Sequence, residues 1–442
     1  MSETGALAPN TTGGGTENQT QKPQSLKEFW EKHKLGQFFQ KYMMVIALVA
    51  VTALFTMWSS GKLLLPANIT SLLCENAYVF VLAAGMLLCI LTGGNIDLSV
   101  GSVLCFAASV GCTMMANGVN VWISVIAMLL IGLAIGAFQG FWIAKIRVPA
   151  FIATLAGMYA FRGFTNIMLE GYKVAVENET FLRFFGVTKY SYIPDVLREW
   201  FPGLKDALTT DNAFLTGLIG EKFITKFNVT CFAIGVLAAV IFILFKVRTV
   251  IVQHKLGIKQ SVIGQVISMI LVAALTIWLC FKLGCSRGFP MLMIWVGLVL
   301  GIYAYITNKT AIGRHLYAVG GNEKATALSG VKTRNVFWFA YASIGLMAGL
   351  AGVLSAGYES SIGPKVGEGY EMDAIAACFI GGASAYGGTG KISGVIIGAL
   401  LMGVINKGMN IIGTGPNYMQ VVKGLVLLVA VLFDVLSKRQ KR

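Results

Sequence analysis

Apolar runs of about 16 to 24 residues, parted by short polar or basic connections, recur along the chain once a polar start is passed, and a helix of that length crosses roughly 30 Å of hydrocarbon. They occupy residues 43–59, 74–92, 98–116, 121–144, 150–169, 229–246, 261–281, 289–306, 335–357, 391–413 and 418–436. A further one, 372–386, is short and interrupted by glycine. The pattern predicts an all-α polytopic membrane protein with about 12 (10–12) transmembrane helices in residues 43–437.

Composition agrees: 56% of residues are apolar, 12% are charged and 52 are glycine, more apolar surface than one soluble core of this length hides. The formal net charge of +15 raises the question of nucleic acid, and the placement of the charge answers it. Lys145 and Arg147 share one connection; Lys246, Arg248, Lys255 and Lys259 another; Lys309, Arg314, Lys324, Lys332 and Arg334 a third; Lys438, Arg439, Lys441 and Arg442 end the chain. Twelve crossings put all of these on one side, which the positive-inside rule names the cytoplasm. Both termini then lie inside, and the nearly charge-balanced stretch 170–228 is an exported loop.

Residues 1–42 open with a Gly/Thr/Asn-rich stretch that has no apolar targeting core, expected as a disordered cytoplasmic tail. From Ser25 to Tyr42, aromatic and leucine residues alternate with lysines as in an interfacial helix. Residues 438–442 form a basic cytoplasmic tail. The eight cysteines are scattered without a CxxC pair and read as small core hydrophobes; Cys280 and Cys285, at an exported edge, are the one pair for which that reading is open to doubt. No metal site is expected.

Gly132–Gly157 and Gly398–Val426 each read as a small-residue helix, a short connection with a proline and a second helix. The crossing count inserts them in opposite senses, the mark of inverted repeats.

Three polar constellations stand out. In TGGNIDLSVGS, Thr92–Ser102, two glycines break a helix ahead of Asn95, Asp97 and Ser99. A carboxylate at the edge of hydrocarbon costs at least ~2.5 kcal/mol unless solvated, paired or bonded to backbone. Asp97 is therefore expected to cap a helix starting at Leu98, with substrate contact as the alternative. In Tyr370–Gly390, Glu371 and Asp373 stand at the exported mouth of the short run, for docking a partner or for capping its first turn. The phrase GGTGK there fails as a nucleotide loop, because position 385 is Ala and Lys391 is followed by Ile392. The third is Gly313–Gly330, GRHLYAVGGNEKATALSG, a polar island inside the cytoplasmic loop 307–335. A Gly320–Gly321 hinge, an Asn322 cap and a Ser329–Gly330 stop predict a short helix carrying Ala325 and Ala327.

LTGGNIDLSVGS, RHLYAVGGNEKATALSGV, YEMDAIAACFIGG and the late GPNYMQVVKG together resemble the permease subunits of bacterial sugar-importing ABC transporters of the ribose, xylose, arabinose and galactose branch. FIATLAGMYAFRG and the extra apolar pair around 229–281 look most like the xylose and multiple-monosaccharide permeases. The resemblance implies an inverted-repeat ABC importer permease fold in the bacterial inner membrane, a homodimer, an extracytoplasmic sugar-binding protein and an ABC ATPase that binds the ATP and Mg. This chain itself would be no enzyme and carry no cofactor or catalytic residue. The island would be the segment that seats in the ATPase, through Gly313, Arg314, Gly320, Asn322, Glu323, Ala325, Ala327, Ser329 and Gly330.

A sugar route calls for a shallowly polar lining, for which Asn95, Asp97, Ser99, Asn406 and Asn410 are candidates. No intramembrane chain of carboxylates points to proton coupling. A gradient-driven twelve-helix sugar facilitator is the alternative, but its GxxxD[RK]xGR loop is not matched by GGNID. An intramembrane hydrolase at Ser384 lacks a base, since His33, His254 and His315 all fall in cytoplasmic segments.

Overall fold

The computed structural model describes residues 35–200, 227–255 and 262–439. The tail 1–24, part of the interfacial segment Ser25–Tyr42, much of the loop 170–228 and the basic end 440–442 fall outside them. The chain divides into a short unit, Met1–Met43, and a large one, Met44–Arg442.

Every apolar run is a helix. In chain order these are α1 (Leu35–Trp58), α2 (Pro66–Glu75), α3 (Ala77–Leu91), α4 (Val100–Ala116), α5 (Val121–Phe141), α6 (Ala150–Leu169), the short α7 (Glu179–Phe185) and α8 (Val196–Trp200), α9 (Val229–Lys255), α10 (Val262–Gly284), α11 (Met291–Lys309), α12 (Ala311–Gly321), α13 (Glu323–Leu328), α14 (Thr333–Glu359), α15 (Tyr370–Ile380), α16 (Ile392–Ile411) and α17 (Pro416–Arg439). Six described stretches are long and apolar enough to cross a bilayer, and shorter apolar helices accompany them. The strand content among the described residues is one antiparallel pair, Val174–Ala175 (β1) with Ser361–Ile362 (β2).

α3 is apolar on every side, and a helix of that kind belongs in a core. All 15 of its residues are buried. α11, α12, α14, α15 and α16 pack against it, and α14 packs against α5 as well. Between α5 and α14 the contact is made by backbone, because lipid supplies no hydrophobic drive and only small residues bring two helices close enough for dispersion to hold them. Gly132 and Gly136 face Gly345 so closely that a Cβ on Gly345 would stand 2.6 Å from the Gly136 Cα. This antiparallel pairing runs from Thr333 and the polar island at one end of the bundle to Glu359 and the β pair at the other.

The short run behaves unlike the rest. After β2 the chain turns back inward: the Cys105 thiol lies 3.4 Å from the Gly363 carbonyl, and Arg162 donates to the carbonyls of Pro364 at 2.9 Å and Val366 at 2.7 Å. That guanidinium satisfies an irregular backbone that hydrocarbon could not. Helix α15 thus begins inside the bundle, and its 11 residues give about 16 Å, half a crossing. The loop 381–391 completes the passage, Gly388 N–H donating to the Leu91 carbonyl at 3.1 Å beside α12.

Candidate functional site

At the end of α3 the glycine pair Gly93-Gly94 takes positive φ and frees the chain to turn. The expected Asp97 cap is not formed: the helix starts at Val100, not Leu98, its N-cap is Ser99 without a side-chain cap bond, and Asp97 Oδ1 instead accepts from the Ser99 amide at 2.8 Å and from the Ser99 hydroxyl at 2.6 Å in the turn before it. Ser99 Oγ also lies 2.9 Å from the Gln139 side-chain oxygen. One hydroxyl proton cannot serve two acceptors. The charged carboxylate takes it, and turning the Gln139 amide over gives Ser99 a donor and a partner to the otherwise unbonded Nε2. Asn95 bonds back to Thr92. Asp97 and Ser99 are buried at 2% and 0% exposure and Asn95 is half-buried, so this group frames the break.

The second group joins α2, α3, α15, α16 and α17. Asp373 is fully buried in the first turn of α15, where the helix dipole favours a carboxylate. Its Oδ2 accepts from the Tyr78 hydroxyl at 2.7 Å, from Asn406 at 3.4 Å and from the Lys423 ammonium at 2.9 Å. The expectation that Asp373 docks a partner at the mouth is therefore overturned: no protein surface reaches a carboxylate sealed in this way. Glu371 is half-buried in the same first turn and makes no side-chain cap bond to it. Asn406 donates to Asn76 at 3.2 Å. One turn on, Lys407 bonds Ser71 at 2.7 Å and Glu75 at 3.3 Å, and exposed Asn410 donates to Glu75 at 3.1 Å. Of the five polar residues read as pathway candidates, Asn406 and Asn410 belong to this group and Asp97 and Ser99 to the other.

The island folds as two helices. Asn322 caps α13 by accepting from the Ala325 amide at 3.0 Å, and Gly330 stops it at φ +87°. Gly320 packs against the Leu91 carbonyl and Gly388, where any side chain would collide. Tyr317 donates to the Gly390 carbonyl at 2.7 Å, and burial raises its pKa, which keeps that donor protonated. Glu323 pairs with Arg147 at 2.6 Å on the surface and receives the Thr333 hydroxyl at 3.2 Å. Arg147, in left-handed backbone at φ 71°, also stacks its guanidinium over Phe337 at 5.4 Å. With Thr326 buried and Glu323 tied down, the outer face of α13 presents Lys324, Ala325, Ala327 and Leu328, the last 91% exposed.

A family model described as the branched-chain amino acid transport system / permease component matches residues 68–251 and 212–431. The chain is 30% identical over 411 residues to the xylose transport system permease protein XylH of Escherichia coli (strain K12), covering 91% of this chain and 93% of that one. The chain belongs to the permease family of bacterial sugar-importing ABC transporters. The ribose import permease protein RbsC of the same organism is 32% identical over 396 residues, 90% of this chain and 93% of that one. XylH of Haemophilus influenzae is 31% identical over 407 residues, 91% and 97%. No solved structure matches.

Within this permease, reading the sequence missed Tyr78, Asn76, Gln139, Glu75, Lys407 and Lys423. An isolated lysine inside an apolar run, as at Lys407 and Lys423, was the available signal, since such a charge in a membrane protein calls for a partner.

Proposed function

We propose that the chain is the transmembrane subunit of an ATP-driven monosaccharide importer of the xylose or multiple-sugar type, working as a homodimer with both termini in the cytoplasm. A sugar-binding protein delivers at the β-pair end, and an ABC ATPase, which binds the ATP and Mg, grips the island. The single observation that carries this reading is α13. An exposed face of Lys324, Ala325, Ala327 and Leu328 stands on a helix that Glu323 ties to Arg147, in the turn after α5, and to Thr333 at the start of α14. Through Gly320 the neighbouring α12 abuts the end of α3 and the loop that completes α15. A push on α13 would reach both helices that break inside the bundle.

Exposed Asn410 and partly buried Lys407, both beside Glu75, are the polar residues we place nearest the sugar's route; Asp97, Ser99 and Asn95 hold the frame. The test is Ala327→Arg, which puts a charge on that face without touching the anchor. The variant should reach the membrane at normal level and lose at least tenfold in labelled-xylose uptake, while the ATPase keeps hydrolysing. Unimpaired uptake would remove α13 as the coupling surface.

A further inference from the structure

A cleft of about 220 Å³ opens at the β-pair end between α2, the chain around Val187 and Tyr192, the turn at Ser286-Arg287, and α14. Drug-sized ligands take roughly 300–1,000 Å³; this space suits one sugar ring. Tyr192, Tyr358, Thr70, Ser71 and Ser286 line it, the Thr70 hydroxyl donating to the Pro66 carbonyl and the Ser71 hydroxyl accepting from Lys407. Arg287 lies over the Tyr192 ring at 6.0 Å with its guanidinium exposed.

Past Cys74 and Tyr358, which line both spaces, the cleft continues as a narrow gap of about 10 Å³, room for one water. Glu75, Glu359, Tyr78 and Tyr370 bound it, the two tyrosine rings stacked 3.6 Å apart. Ser355, also on this gap and only 6% exposed, has a hydroxyl with no partner, a buried polar group waiting for one. Glu75 and Glu359 offset Arg287 and Lys407, which leaves no net positive charge to draw an anion. Aromatic faces flanked by neutral hydroxyls favour a polyol ring.

We infer that this cleft is a monosaccharide-binding vestibule within each protomer, floored by Tyr358, through which the sugar meets the Glu75–Lys407 group. The inference rests on the importer reading for its sidedness and ligand class.

The test labels Ser286→Cys in the purified full-length chain in lipid nanodiscs with an impermeant methanethiosulfonate, the wild type serving as the background for its buried cysteines. Pentoses or hexoses at high concentration should slow the modification several-fold, and inorganic phosphate should not. No protection by any monosaccharide, or protection by phosphate instead, overturns the vestibule. If Ser286→Cys fails to accumulate, Val187→Cys on the facing wall replaces it with the same expected outcomes. Uptake of labelled sugar by cells with the wild-type importer is scored separately: its absence sinks the importer reading, whereas sugar protection decides the cleft.

Discussion

Asp373 shows what a membrane interior demands of one carboxylate. It has no exposure, and a charge there is tolerable only with a counter-charge and donors in place, which Lys423, Tyr78 and Asn406 supply. Removing the ammonium leaves an uncompensated buried charge, a loss worth about 3–5 kcal/mol. Lys423→Leu should therefore lower the melting temperature and membrane abundance sharply. Adding Asp373→Asn removes the stranded charge and keeps an oxygen for the Tyr78 hydroxyl, so the double variant should recover most of the loss. A double variant no more stable than Lys423→Leu would mean that the pair is not what holds α17 to α15.

Among the elements, α5 and α14 make the sharpest contrast, because Gly132, Gly136 and Gly345 let two backbones touch. Gly345→Leu would drive a side chain into the Gly136 backbone, which cannot yield as a side chain tip does, at a cost toward or beyond the usual 1–3 kcal/mol of overpacking. Gly301→Ala on α11, where nothing lies within 4 Å, should be neutral or gain about 0.4–1 kcal/mol from the stiffer unfolded chain. Comparable melting temperatures for the two variants would refute the backbone contact. Helices of this kind are legible in the sequence, since an apolar run of the right length permits little else in lipid. The Asn322 cap and the Gly330 stop are legible too, because capping is a matter of three or four neighbours in sequence. What stays hidden is non-local. Tyr78 and Asp373 are 295 positions apart, and no pattern around either announces the other. The inward turn at 363–369 depends on Arg162, another distant residue, so the short run reads as a full span with its acids at the mouth, when it is a half-helix that starts inside.

For the molecule as a whole, the packing sets two ends and the basic loops give them names. Arg147, Glu323 and Lys332 share the end where α13 stands, and Lys145 bonds Asn335 there at 2.8 Å. The opposite end holds the β pair, the start of α5 and the cleft. Positive charge is retained on the cytoplasmic side during insertion, so the proposed orientation would put α13 where an ATPase can reach it and the cleft where sugar arrives. Two exposed positions test this assignment: Leu328 on α13 and Tyr172 just before β1, 74% exposed. In intact cells an impermeant thiol reagent should label Tyr172→Cys and spare Leu328→Cys, and permeabilising the inner membrane should make Leu328→Cys reactive. The reverse pattern would turn the molecule over, and with it the positions of motor, sugar and both termini. Equal labelling of both in intact cells would show that the two ends are not separated by a bilayer.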